Sequence, residues 1–77
     1  MKVYTATRFF YPHGIEGESM DNTVKDFEDI EKARKYAHRY AKGVRFAGVQ
    51  IESENGKLLY EITSDSEVCD YRGNNNG

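Results

Sequence analysis

Cysteine, proline and tryptophan are scarce in this chain: one, one and none in 77 residues. A single cysteine, Cys69, excludes an intramolecular disulfide. Its neighbours include Glu67 and Asp70, and acidic neighbours raise a thiol pKa, which is the wrong setting for a nucleophile. A zinc site takes about four ligands; Cys69 with the separated His13 and His38 supplies no such cluster. No stretch approaches the roughly 18 apolar residues of a membrane helix. The opening MKVYTATRFFYP lacks the apolar run and small-residue cleavage site of a signal peptide. These absences predict a cytoplasmic, reducing setting and no membrane contact. The length excludes dinucleotide-binding sheets and eight-stranded barrels. Also missing are G-x-S-x-G, a phosphate-cradling glycine loop and a metal-binding helix motif. His13, in Pro12-His13-Gly14, is the one loop candidate for a general base, and a lone loop histidine is usually incidental. No pair of acids stands out as a catalytic dyad. The expectation is a protein without cofactor or catalysis.

What is present describes one α+β domain over 1–72, followed by a low-complexity segment, 73–77, that reads as a disordered tail. Residues 2–11, rich in β-branched and aromatic types, predict a strand that Pro12 ends. His13 to Met20 reads as a loop, and Thr23 to Phe27 as a short second strand. Asp29 is the favoured helix N-cap, with Asp26 the alternative, and Gly43 suits the helix end. Ile30, Ala33, Ala37, Tyr40 and Ala41 recur at three- and four-residue steps, one apolar stripe that packs on a sheet. Ala47, Val49 and Ile51 alternate with polar positions, as do Leu58, Tyr60 and Ile62, and Asn55-Gly56 between them signals a hairpin. Val68 to Tyr71 adds a short edge strand. The predicted order is β-β-α-β-β with a final β: an antiparallel sheet covered on one face by a single helix.

The net charge of −2 conceals an uneven distribution. Residues 32–45 carry Lys32, Arg34, Lys35, Arg39, Lys42 and Arg45 with no acid, while the remainder balances five bases against thirteen acids. On a helical wheel Lys32, Lys35, Arg39 and Lys42 fall opposite the apolar stripe. With Arg45 they form an exposed basic ridge. Glu28–Lys32 and Glu31–Lys35 are i,i+4 pairs that would neutralise part of it and leave a merely solvated face. The alternative is a docking surface for an anionic partner, either a nucleic-acid backbone or an acidic protein. The sequence pI near 5.6 argues against general nucleic-acid binding, since such domains are usually basic as a whole.

With one helix available, the second sheet face lacks cover. Strand one is apolar on both sides. Burying Arg8 beneath the helix would be costly, so Val3, Thr5, Thr7 and Phe9 are assigned to the core. Tyr4, Ala6, Arg8 and Phe10 then face outward beside Phe46 and Leu59. A patch of Tyr4, Arg8, Phe10 and Leu59 has the composition of a protein interface or of a homodimer contact. It could also stack unpaired bases, although the RNP1 pattern is absent.

Three stretches carry a resemblance: the opening strand Met1-Lys2-Val3-Tyr4, the helix start Asp29-Ile30-Glu31-Lys32-Ala33-Arg34-Lys35-Tyr36-Ala37, and the hairpin Val49-Gln50-Ile51-Glu52 with Asn55-Gly56-Lys57-Leu58. In layout the chain resembles small phage-encoded anti-CRISPR inhibitors of type I surveillance complexes, built as an antiparallel sheet with one helix. The 13–20 loop has no counterpart in that pattern. The resemblance implies a non-catalytic inhibitor that binds a host nucleoprotein complex and occludes its target-binding surface. It assigns no individual binding residue.

Overall fold

Five strands and one helix follow the predicted order: β1 (Tyr4–Phe10), β2 (Asp21–Phe27), α1 (Ile30–Tyr40), β3 (Phe46–Glu52), β4 (Leu58–Ile62) and β5 (Val68–Asp70). The computed structural model describes residues 2–15 and 17–72. The segment read as a disordered tail, 73–77, lies outside the described residues. The sheet is antiparallel, in the order β2-β1-β3-β4-β5. Because β2 and β3 both run antiparallel to β1, they are parallel to each other. The chain must therefore cross from one to the other, and α1 makes that crossing over one face of the sheet.

The helix starts where the acid was expected to cap it. Asp29 has extended backbone, and its carboxylate accepts from the Glu31 amide at 2.8 Å. Such caps contribute about 1 kcal/mol. The helix ends at Tyr40 rather than running to Lys42, because the Ala41 amide turns back to His38 O at 3.4 Å. Lys42 and Arg45 thus sit in the turn leading to β3, which passes through Gly43 at φ +93°.

The core is small and closely packed. Ala6 on β1, Ala33 and Ala37 on α1, Val49 and Ile51 on β3, and Tyr60 and Ile62 on β4 are its fully buried members. Tyr4, Phe27, Tyr36, Ala41 and Phe46 pack around them. Three alanines meeting at the helix–sheet contact let the two backbones approach.

That contact reverses the sequence-based facing of β1. Ala6 is buried and Tyr4 packs on the core, and strand alternation places Arg8 and Phe10 on the same side. Tyr4, Arg8 and Phe10 therefore lie on the helix-covered face and do not form an outward patch. Ala6 decides the matter: it is the only residue on β1 small enough to admit Ala33 and Ala37, whereas Thr5, Thr7 and Phe9 would hold the helix away. Leu59 lines a cleft with Tyr4 and Ile30 near the N-terminal end of α1, beside a register irregularity between Ile51 and Glu52.

The β3–β4 and β4–β5 turns are built alike. In the first, the Ser53 amide donates to Lys57 O and the Gly56 amide to Ser53 O, both at 2.9 Å. Ser53 Oγ accepts from the amides of Asn55 and Lys57. In the second, Thr63, Asp65, Ser66 and Glu67 repeat every one of these bonds at the same spacing. The position held by Gly56 at φ +83° is held by Ser66 at φ +67°.

Candidate polyanion interface

The exposed cations of α1 are arranged around a row of aromatic rings rather than on a bare helix back. Phe27, at the end of β2, packs on Tyr36 with ring centroids 5.3 Å apart, and Tyr36 packs on Tyr40 at 5.0 Å. The spacing of Tyr36 and Tyr40 on α1 makes this row possible. The Arg8 guanidinium lies 4.6 Å from the Tyr40 ring and 4.6 Å from the Phe10 ring. The row therefore continues across the sheet as Phe27, Tyr36, Tyr40, Arg8 and Phe10. Lys25 of β2 approaches its first two rings at 5.6 and 5.8 Å.

Cations line both ends of the row. Lys32, Lys35 and Arg39 share a cleft with Lys25, Phe27 and Tyr36. Lys42 and Arg45 share a second with Arg8, Phe10 and Tyr40. The structure thus brings the five predicted basic residues to one flank of the molecule in two groups, and it adds Lys25 and Arg8. Arg8 had been assigned to the outward patch, because burying a guanidinium looks expensive; here two rings replace part of its hydration. Lys25 was missed because it is remote in sequence from the helix, and only the pairing of β2 with β1 carries it there.

Of the two acids expected to neutralise this face, Glu31 is engaged elsewhere and Glu28 forms no ion pair with Lys32. Glu31 pairs with Arg34 at 2.6 Å and with Arg72 at 3.3 Å rather than with Lys35. Among the described residues, none of Lys32, Lys35, Arg39, Lys42 or Arg45 has a carboxylate within 4.0 Å. Arg72 also takes Asp70 at 2.7 Å, and its guanidinium holds the Asp70 carboxyl down at about 2.

The opposite sheet face has a different character. Register places Thr5, Thr7 and Phe9 of β1, Asn22, Val24 and Asp26 of β2, Gln50 and Glu52 of β3, and Glu61 of β4 on it. All the charged residues in this set, Asp26, Glu52 and Glu61, are acidic. Thr5 donates to Asp26 at 2.9 Å, and Gln50 to Glu61 at 3.4 Å. Cys69 is half-buried across from Glu61. The neighbouring Cys69 thiol and then the Glu61 carboxylate, which accepts from the Tyr71 hydroxyl at 3.2 Å, push that hydroxyl up to about 12.

The two histidines serve local structure. His13 Nδ1 lies 2.6 Å from Glu18, whose carboxylate also accepts from the amides of His13 and Ile15 and so closes the 13–20 loop. Burial raises the Glu18 pKa, but the bonds from His13 and from these amides outweigh it and hold the carboxyl below its ordinary value. His38, exposed on a flank of α1, also reaches the hydroxyl of buried Tyr60 at 2.6 Å. Among the described residues no three His, Cys, Asp or Glu side chains converge as a metal site, and no helix is long and apolar enough to cross a membrane. Comparison of the chain with protein-family models, with curated proteins and with solved structures yields no match.

Proposed function

We propose that this chain is a non-catalytic binding protein that docks its basic flank on the exposed phosphates of a host nucleoprotein complex and occludes the complex's target-binding surface. This is the mode of action implied by its resemblance in layout to phage-encoded inhibitors of type I CRISPR complexes. The observation that carries the reading is the set of five cations, Lys32, Lys35, Arg39, Lys42 and Arg45, with no carboxylate within 4.0 Å among the described residues. A merely solvated helix would use its own glutamates to balance such charges; here Glu31 turns to Arg34 and Arg72 instead. Phosphates approaching this flank gain charge–charge attraction, and the neighbouring rings offer stacking surface for bases.

A homodimer paired through the open sheet face has less in its favour. It would set Asp26, Glu52 and Glu61 against their own copies, and the aromatic residues expected to drive it lie beneath the helix.

The test is binding of the full chain to a purified type I surveillance complex, and to its guide RNA alone, across a salt series. Binding that weakens roughly a hundredfold between about 50 and 200 mM salt is expected if all five cations meet phosphates. The triple variant Lys32→Ala, Lys35→Ala, Arg39→Ala should flatten that slope, and the wild-type chain should prevent target DNA from binding the complex. Absence of binding to both complex and RNA at low salt overturns the reading.

A further inference from the structure

Arg8 is the one cation on this flank held in a built pocket. Its guanidinium is sandwiched between Phe10 and Tyr40, each centroid 4.6 Å away. Its Nε is buried with no hydrogen-bond partner. Among the described residues no carboxylate pairs with it. Asp21, which register sets across from Phe10, directs its carboxylate to the Asn22 amide at 2.8 Å. The cleft over Arg8 has a volume of about 270 Å³ and is also lined by Lys42 and Arg45.

Three cations converge here without an acid. Among the described residues no carboxylate balances their mutual repulsion, and the two rings replace only part of the hydration that Arg8 loses. A bound anion would balance both. The rings flanking Arg8 add flat apolar walls, and the cleft is large enough for more than a lone inorganic ion. Guanidinium and ammonium groups bind phosphate through charge-assisted hydrogen bonds, and aromatic walls accept a base. We propose that the Arg8 cleft is a nucleotide-phosphate site, with Arg8, Lys42 and Arg45 holding the phosphate and Tyr40 stacking against the base. The phosphate comes either from a free mononucleotide or from a nucleotide within a nucleic-acid strand. This rests in part on the reading of the flank as phosphate-binding, but it names a site with its own residues.

The experiment is an amide-resolved NMR titration of the full chain with inorganic phosphate, with AMP and with a short single-stranded oligonucleotide. Shifts centred on residues 8, 10, 40, 42 and 45 are expected with AMP, and weaker ones at the same positions with phosphate. Tighter binding of AMP than of the oligonucleotide identifies a free nucleotide as the source; the reverse identifies a strand. Arg8→Leu should weaken AMP binding roughly tenfold or more, as loss of a charge-assisted contact predicts. Lys42→Ala with Arg45→Ala, both exposed, supplies the same test should Arg8→Leu fail to fold. Lys32→Ala with Lys35→Ala should leave AMP binding unchanged while weakening the oligonucleotide, which separates this site from the wider flank. AMP shifts spread evenly along α1, no AMP binding, or AMP affinity unchanged in Arg8→Leu and in the double variant would each overturn the proposal.

Discussion

Individual residues in this domain carry consequences out of proportion to their size. Ala33 and Ala37 are fully buried against Ala6, so a larger side chain has nowhere to go. Ala37→Leu should cost about 1–3 kcal/mol or more, as overpacking does, measured by thermal or urea unfolding. Ser66 occupies a left-handed conformation that glycine holds in the twin turn. A residue with a Cβ carries about 1–2 kcal/mol of strain there, and glycine gives back part of that in chain entropy. Ser66→Gly should therefore raise stability by roughly 0.5–1 kcal/mol, and Gly56→Ser should lower it, both read from the unfolding midpoint. Asp70 sets a limit at acid pH. Its folded carboxyl sits at about 2, held by Arg72 and below the ordinary 3.8. Its stabilising effect is complete above about 3.8 and is lost as pH falls through 2. Both side chains are about a third exposed, so the pair contributes under about 1 kcal/mol. Arg72→Gln should remove this increment above pH 3.8 and narrow the stability gap to wild type below pH 2, as followed by circular dichroism.

At the scale of elements, periodicity in the sequence was a good guide to which segments form and a poor one to which way β1 faces. The helix, its Asp29 cap, the Asn55-Gly56 turn and the strands of the second half follow from alternation, three-to-four spacing and turn chemistry, all of which act within a few residues. The facing of β1 depends on which of two plausible sides meets Ala33 and Ala37, and that is settled only when helix and sheet are together. Arg8 shows the difficulty most directly. Its charge argued for the outside, yet Phe10 and Tyr40 give it a place beneath the helix flank. Five of the cations on the flank were readable because they share a helical wheel or its end with the apolar stripe. Lys25 and the aromatic row were not, since they join α1 only through the pairing of β2. The α1 termini also bear a prediction. Asp29→Ala should cost about 1 kcal/mol by loss of the cap and increase amide exchange in the first turn. It should leave Arg8, Lys42 and Arg45 near Tyr40 unperturbed.

As a whole, the molecule is a thin plate whose two faces differ in charge. The helix side presents Lys25, Lys32, Lys35, Arg39, Lys42 and Arg45; the open side presents Asp26, Glu52 and Glu61. An acidic pI therefore does not by itself oppose phosphate binding, because among the described residues no carboxylate lies within 4.0 Å of the flank's cations. Charge reversal on the open face, Asp26→Lys with Glu52→Lys, should lower the unfolding free energy by about 1 kcal/mol, because it removes the Thr5–Asp26 bond. It should speed association with RNA at low salt, measured by stopped flow.

The acidic side has a second effect once the basic side is occupied. A nucleic acid covered by this plate would present carboxylates where it had presented phosphates, at lower charge density and without base edges to read. Incoming strands would meet an insulating surface that repels them and offers nothing to pair with. Masking of this kind needs no contact between the protein and the excluded strand, and it works through the plate's thickness alone.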